Sequence, residues 1–342
     1  MAFGRRKPRR RGFWKRAAAA TRSGLRRYPT HLVRSLRGER RRGRLSRLRR
    51  RWRRGRGVGV EASKSAPAII EVSPTAPRFA WPRLPQEPLA ASWLGHATAL
   101  VRVGDLTVLT DPVFSPRIGP RIAGRTMGVS RLMHAPSGMP PPIDVILISH
   151  AHFDHLDRPT LRRLVSKRTT VITARHTGRL IPSGFGDVIE IDWDQELSHR
   201  GVTFAALRPE HWGARTAWDR HRGFNAYVMR TPRRSVLFAG DTAETRAFES
   251  LRPSLAIFGI GAYEPWQHMH ATPEQVWDMF LASGGTWLMP IHHSTFELSD
   301  EHPDEPMQRL LAAAGEQEPR VVARTAGEVW VARGLPEAEP RS

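Results

Sequence analysis

From residue 89 onward, apolar residues come in short runs that alternate with polar ones or stay continuous over four to seven positions, the spacing of strands rather than helices. Residues 97–103 and 106–110 flank Gly104-Asp105 and predict a hairpin. Residues 143–149 predict a buried strand, and TTVITA (169–174), VTFAAL (202–207), NAYVMR (225–230), SVLFAG (235–240) and LAIFGIG (255–261) predict others. Helical spacing appears in RPTLRRLVSKR (158–168), where Leu156, Leu161, Leu164 and Val165 share one side. TPEQVWDMFLASGG (272–285) predicts a helix with Thr272 as N-cap, Pro273 in the first position, Glu274 in the first turn and Gly284 at the end. DEPMQRLLAAAG (304–315) predicts another helix, and VVARTAGEVWVAR (321–333) a closing hairpin. Strands dominate at first and strand–helix alternation follows. That order suits an α/β fold of two sheets with helices on the outer faces, although the pattern alone does not select it over other α/β layouts.

Charge changes the picture at the N-terminus. The net charge of +22 suggests a nucleic-acid protein, but 24 of the 54 Lys+Arg and only one of the 32 Asp+Glu lie in residues 1–57. The other 285 residues hold 30 basic and 31 acidic side chains, so the body is near neutral, a balance that argues against a basic surface for phosphate contacts. Nucleic acid is therefore not the expected partner. Residues 1–57 predict a disordered Arg-rich arm, because like charges repel and too little is apolar to form a core. Leu45, Leu48 and Trp52 share a helical face among arginines, so the arm could instead lie as a helix on an anionic membrane. Residues 58–88, rich in Pro, Ala and Ser, predict a linker. A catalytic domain is expected over 89–335 and a tail over 336–342. No stretch approaches 18 apolar residues, and no signal peptide is evident. The expected location is cytoplasmic, peripheral to the inner face of the membrane through the arm.

Candidate chemistry sits directly after the strand at 143–149. The stretch HAHFDH places His150, His152, Asp154 and His155 within six positions. In an extended segment His150 and His152 point the same way and can grip one ion, while Asp154 and His155 can reach a second as the chain turns. The chain has no cysteine, so a metal must be held by its His, Asp and Glu, and 15 histidines supply the capacity. Such donors suit zinc, with iron or manganese as alternatives. Later strand ends offer His211, Asp241 and the pair His292-His293.

The stretches SWLGHATALV, LTDPVFSPR, IDVILISHAHFDHLD, EHWGAR, FAGDT, IGAYEPW and PIHHSTFELSDE, spread over residues 90–315, resemble the metallo-β-lactamase superfamily. Within it they are most similar to the branch of N-acyl-phosphatidylethanolamine-hydrolysing phospholipase D and its bacterial relatives. The ascorbate-6-phosphate lactonases, which share the WxGH opening, are close by. The resemblance implies a four-layer αββα sandwich holding two zinc ions. It implies His150, His152 and His211 around the first ion, Asp154, His155 and His292 around the second, and Asp241 bridging them. It further implies attack on a phosphodiester by a hydroxide between the ions. The substrate would be a phospholipid or other small molecule; the alternative is a lactonase of a soluble sugar phosphate on the same site. Asp154, Asp241 and His270 are the groups expected to take part in the reaction, with His270 orienting substrate or protonating the leaving group and His268 able to share that role. His293 stands where the phospholipase has Trp, so His292 and His293 compete for one ligand position, with His292 favoured by the alignment.

Other residues carry plainer expectations. His96 reads as a hydrogen-bonded structural histidine, Asp111 as a carboxylate that orients a ligand or fixes a turn, and Asp157 as the cap of the following helix. His176, His199 and His221 read as surface residues. Trp193, Trp212, Trp218, Tyr263 and Trp266 read as core, with Trp212 and Trp266 also candidates to line a substrate groove.

Overall fold

The structure is a computed structural model that describes residues 78–216 and 218–333. The arm (1–57), most of the 58–88 stretch and the 336–342 tail lie outside the described residues. The chain opens with β1 (Leu89–Gly95), β2 (Thr98–Val103) and β3 (Leu106–Thr110), then four two-residue strands, β4 (Arg117–Ile118), β5 (Arg121–Ile122), β6 (Arg125–Thr126) and β7 (Val129–Ser130). Next come β8 (Val145–Ile148), helix α1 (Arg158–Arg163), β9 (Thr170–Ala174), β10 (Asp187–Ile191), β11 (Glu196–His199) and β12 (Val202–Leu207). The rest is β13 (Ala226–Arg230), β14 (Ser235–Phe238), β15 (Leu255–Gly259), α2 (Pro273–Ser283), β16 (Trp287–Ile291), α3 (Glu305–Ala314) and β17 (Trp330–Val331).

Two sheets carry the compact unit to which the described residues other than 121–128 belong. One runs in the order β10-β9-β8-β3-β2-β1-β17 and the other β11-β12-β13-β14-β15-β16. Residues 121–128 fall outside that unit, and in them β5 and β6 pair antiparallel. In the larger unit, side chains alternate across each sheet and so build three apolar layers. Leu147 and Val108 face inward with Phe204, Tyr227, Met229 and Phe238 of the second sheet. Ile146, Ile148 and Val171 face outward against Leu156 and Leu161 of the α1 region. Leu237 and Phe258 of the second sheet pack on Val276, Trp277 and Phe280 of α2 and on Leu310 of α3. The result is the helix–sheet–sheet–helix sandwich that the sequence pattern allowed and the resemblance implied. Strand β8 lies parallel between β3 and β9, with all four residues buried, which is why its sequence is continuously apolar.

Three expectations need correction. VVARTAGEVWVAR is not a hairpin. Val321 bridges Leu288 of the second sheet, whereas Trp330–Val331 pairs with Ala90 and Ala91 of the first, so the two apolar runs complete different sheets. Val165 is exposed at 37% because α1 ends at Arg163, before the helical face reaches it. Trp218 is not core but 92% exposed. Within the stretch expected to be linker, Phe79, Trp81 and Leu84 pack against the outer face of the first sheet. No helix among the described residues is long and apolar enough to cross a membrane.

Candidate metal centre

The strands deliver their chemistry at one edge. His96 sits in the turn between β1 and β2, Asp111 follows β3, and His150 to His155 follow β8. His211 lies beyond β12, Asp241 beyond β14, and His292 directly after β16. Each element ends where its buried run ends, so a polar residue just past it emerges at the rim of the sandwich. Close approaches keep the rim compact. A Cβ on Gly261 would lie 2.3 Å from the carbonyl oxygen of His292, so only glycine fits there. His96, Asp111 and His292 themselves adopt positive φ (52°, 31° and 63°), a conformation that costs non-glycine residues energy and gathers at functional sites.

The donors form two groups that share one carboxylate. His150 Nε2 lies 2.8 Å from His152 Nδ1, and His211 Nε2 lies 3.4 Å from that same Nδ1. Asp241 Oδ2 stands 3.8 Å from His150 Nε2 and 3.6 Å from His211 Nε2. Across the carboxylate, Oδ2 is 3.0 Å from His155 Nε2 and Oδ1 is 3.3 Å from His292 Nε2. Asp154 Oδ2 lies 3.5 Å from both of those imidazoles and 3.1 Å from His96 Nε2. Every predicted ligand is therefore brought together, and so is His96. His292 points into the group. His293 turns away, with its Nδ1 at Ser294 Oγ (2.9 Å) and its ring stacked on Trp93.

A relay behind the ligands sets which nitrogens face inward. Asp111 accepts from Ser149 N (2.7 Å), from Ser149 Oγ (2.5 Å) and from His155 Nδ1 (2.7 Å). With its proton committed to Asp111, Ser149 Oγ accepts from His150 Nδ1 at 2.8 Å. His211 Nδ1 donates to the Met269 carbonyl at 3.1 Å. The Nε2 atoms of His150, His155 and His211 thus all point at the centre, the arrangement by which outer partners orient metal-bound histidines. Asp111 holds the ring of His155 through Nδ1. Asp157 occupies the N-cap position of α1, but its carboxylate accepts from Thr160 Oγ1 and Ser115 N.

This geometry fits a metal. His150 and His211 present lone pairs toward one His152 nitrogen, which has at most one proton to give. Burial holds His150 and His211 well below the ordinary histidine range and His152 at about 4, so all three are neutral at pH 7 and ready to ligate. Burial alone would also lower His292, but Asp241 and the Asp154 hydrogen bond raise it to about 9. His155 is likewise raised despite burial, by Asp241 and Asp154. Without metal, two carboxylates are balanced by protons on two histidines, a balance that cations can replace.

Two positioning features had no sequence signal beyond adjacency to the motifs. Ser149 precedes His150 in the strand-end run. Arg215, the last residue of EHWGAR, donates to the carbonyls of Ala151 (2.9 Å) and Leu156 (2.8 Å) and lies 4.0 Å from the Phe153 ring centroid. It ties the His150–His155 turn to the loop that carries His211. His270 comes within 4.0 Å of Asp241 Oδ2, and burial lowers it to about 4, so at neutral pH it is an uncharged imidazole with one donor and one acceptor. His268 is exposed, as are His176 and His221, while His199 is half-buried. Trp212 packs edge-on to His152 at 4.8 Å and is 40% exposed, and Tyr263 is buried; Trp193 and Trp266 are half-buried.

Comparison with known proteins agrees with this geometry. The beta-lactamase superfamily domain matches residues 107–293. An uncharacterized protein of Mycobacterium tuberculosis is 32% identical over 248 residues, 66% of this chain and 64% of that protein, so the likeness leaves about a third of the relative uncovered. The N-acyl-phosphatidylethanolamine-hydrolyzing phospholipase D 1 of Caenorhabditis elegans is 27% identical over 275 residues, 71% of this chain and 76% of that one. Among solved structures, the isothiocyanate hydrolase from Delia radicum gut bacteria superposes with a TM-score of 0.56 at 16% identity, covering 71% of this chain and 98% of its own. With the two-sheet sandwich and the His/Asp cluster at its rim, the matched residues place this chain in the beta-lactamase superfamily.

Proposed function

We propose that the chain is a zinc-dependent hydrolase of phosphodiesters, with N-acylated phospholipids as its substrate class. The observation that carries the reading is the Asp241 carboxylate, set between His150 and His211 on one side and His155 and His292 on the other. His150, His152 and His211 would hold one ion, Asp154, His155 and His292 a second, and Asp241 both. An all-nitrogen-and-oxygen donor set suits zinc. Bound zinc supplies Lewis acidity at a phosphoryl oxygen and lowers the pKa of water to about 7.

The chain's own groups do the rest. Asp111 and Ser149 keep His150 and His155 in the ligating tautomer. Water oxygen forms the new bond to phosphorus, the bond to the alcohol breaks, and a proton ends on the departing alcohol. His270, beside Asp241 and with its side chain 17% exposed, would donate an N–H to that oxygen. Trp212 offers an apolar face beside His152 for the substrate's hydrocarbon part. The worm relative, whose name states hydrolysis of N-acyl-phosphatidylethanolamine, supports the substrate class. The basic arm supports it too, since each Lys or Arg near an anionic leaflet contributes about 1 kcal/mol of attraction.

The test is turnover by purified, metal-quantified protein on N-acyl-phosphatidylethanolamine in mixed micelles, on bis-p-nitrophenyl phosphate and on a lactone panel. Lipid cleavage with about two zinc ions per chain, abolished in Asp241→Asn, is the expected result. Turnover of lactones alone would move the reading to carboxylic ester chemistry on the same site. Protein without metal under zinc-replete conditions would overturn it.

A further inference from the structure

We propose that His96 is a positioning residue for Asp154, acting on the second ion's ligands from outside the seven donors that the motifs identify. The inference rests on the reading of Asp154 and His292 as ligands.

His96 Nε2 lies 3.1 Å from Asp154 Oδ2, and a carboxylate oxygen only accepts, so the imidazole donates. Asp154 is the carboxylate of the centre that reaches solvent: its side chain is 16% exposed, against 3% for Asp241 and 0% for Asp111. A short carboxylate at that edge can rotate toward water unless a donor holds it, and His96, 1% exposed beneath it, is placed to do so.

The backbone of His96 supports the same assignment. Its φ of 52° is one that Gly or Asn adopts more readily. The turn nevertheless keeps a histidine there and anchors it three times. His96 N donates to Thr295 Oγ1 at 2.7 Å, and its carbonyl accepts from Trp93 Nε1 at 2.8 Å and from His292 N at 2.9 Å. The preceding Gly95 has φ of 106° and no room for a Cβ, which would meet the Arg131 guanidinium at 2.5 Å. One strained residue therefore reaches both ligands: its ring holds Asp154, and its carbonyl holds His292. The rings of His96 and His292 lie 4.0 Å apart. Packing alone needs an apolar ring of similar size, not a donor aimed at a carboxylate.

His96→Phe keeps the ring and removes the donor, whereas His96→Gln keeps a donor at similar reach. Zinc per chain is counted by native mass spectrometry during chelator competition, and unfolding of the metal-free proteins is followed by circular dichroism. In His96→Phe, the first ion is expected to keep its affinity within about twofold while the second loses about 10- to 100-fold. His96→Gln is expected to recover most of that loss. Trp93→Phe, which removes a hydrogen bond from the same turn and leaves the ring in place, is expected to spare the second ion. Unchanged affinity for both ions in His96→Phe would overturn the role of His96 alone. So would equal loss in Phe and Gln variants whose metal-free unfolding matches wild type. A wild-type chain that never takes a second ion would instead overturn the reading on which the proposal rests.

Discussion

Buried imidazoles that are neutral in the folded chain take up protons only when it unfolds, and six histidines in or beside the site are of this kind, His150 and His211 among them. Burial lowers His96 and His293 to about 3 and His152 and His270 to about 4, against 6.5 in the unfolded chain. Below pH 6.5 the unfolded state binds more protons, so stability falls with acid down to those values, by up to about 1.4 kcal/mol per pH unit for each group. His292 runs the other way. Raised to about 9, its contribution is complete below 6.5 and is lost as pH rises through 9. Urea melts of the metal-free protein are expected to show greatest stability near pH 6.5, with lower midpoints at pH 4.5 and pH 9. Metal reverses the alkaline trend. Zinc must displace the protons on His155 and His292, so its affinity should rise between pH 6 and pH 9, with proton release measurable by titration calorimetry in two buffers. His270→Ala should keep both ions but slow turnover about 100-fold, most for esters with basic leaving groups.

At the scale of elements, a buried arginine, Arg131, and a half-buried one, Arg215, act as fasteners for the loops. Arg131 donates to the carbonyls of Leu94, Val113 and Met133, and Arg215 to those of Ala151 and Leu156. Arg215→Met is expected to destabilise the fold by about 2–4 kcal/mol, since each orphaned buried carbonyl costs about 1–3 kcal/mol. It should also weaken zinc retention, and Arg215→Lys should rescue it only partly because a lysine cannot reproduce the guanidinium fork. Thermal melts and metal analysis of both variants check this. Local chemistry made some elements legible. In α2, Thr272 and Gln275 exchange both bonds of a capping box, and Gly284 ends the helix at φ of 69°. Strands β10 and β11 were not legible because they are sheet edges: each has at most one buried residue, so little apolar pattern remains to read.

For the molecule as a whole, the site and the basic arm are separable in principle. Removing residues 1–57 should leave bis-p-nitrophenyl phosphate turnover unchanged, while activity on anionic vesicles falls and loses its dependence on salt. Vesicle sedimentation and both assays, run from 50 to 500 mM salt as an order-of-magnitude range, check this. If the centre holds zinc, its removal should lower the melting temperature of both forms equally, because the candidate donors come from loops of both sheets.

Sequence by itself determined the donor chemistry. Four candidate ligands stand within one hexapeptide, the absence of cysteine excludes thiolates, and each remaining candidate follows an apolar run that must end at the rim of a sheet. Only the tertiary structure decided which nitrogens face inward. That depends on contacts between residues far apart in the chain, such as His155 with Asp111, 44 positions away, and His211 with Met269, 58 positions away. The same dependence separates His292 from His293, brings His96 to Asp154 across 58 positions, and sends the two halves of residues 321–333 to different sheets. Hydrophobic pattern reports that a residue is buried or that a strand ends; it does not report what lies opposite once the sheets have packed.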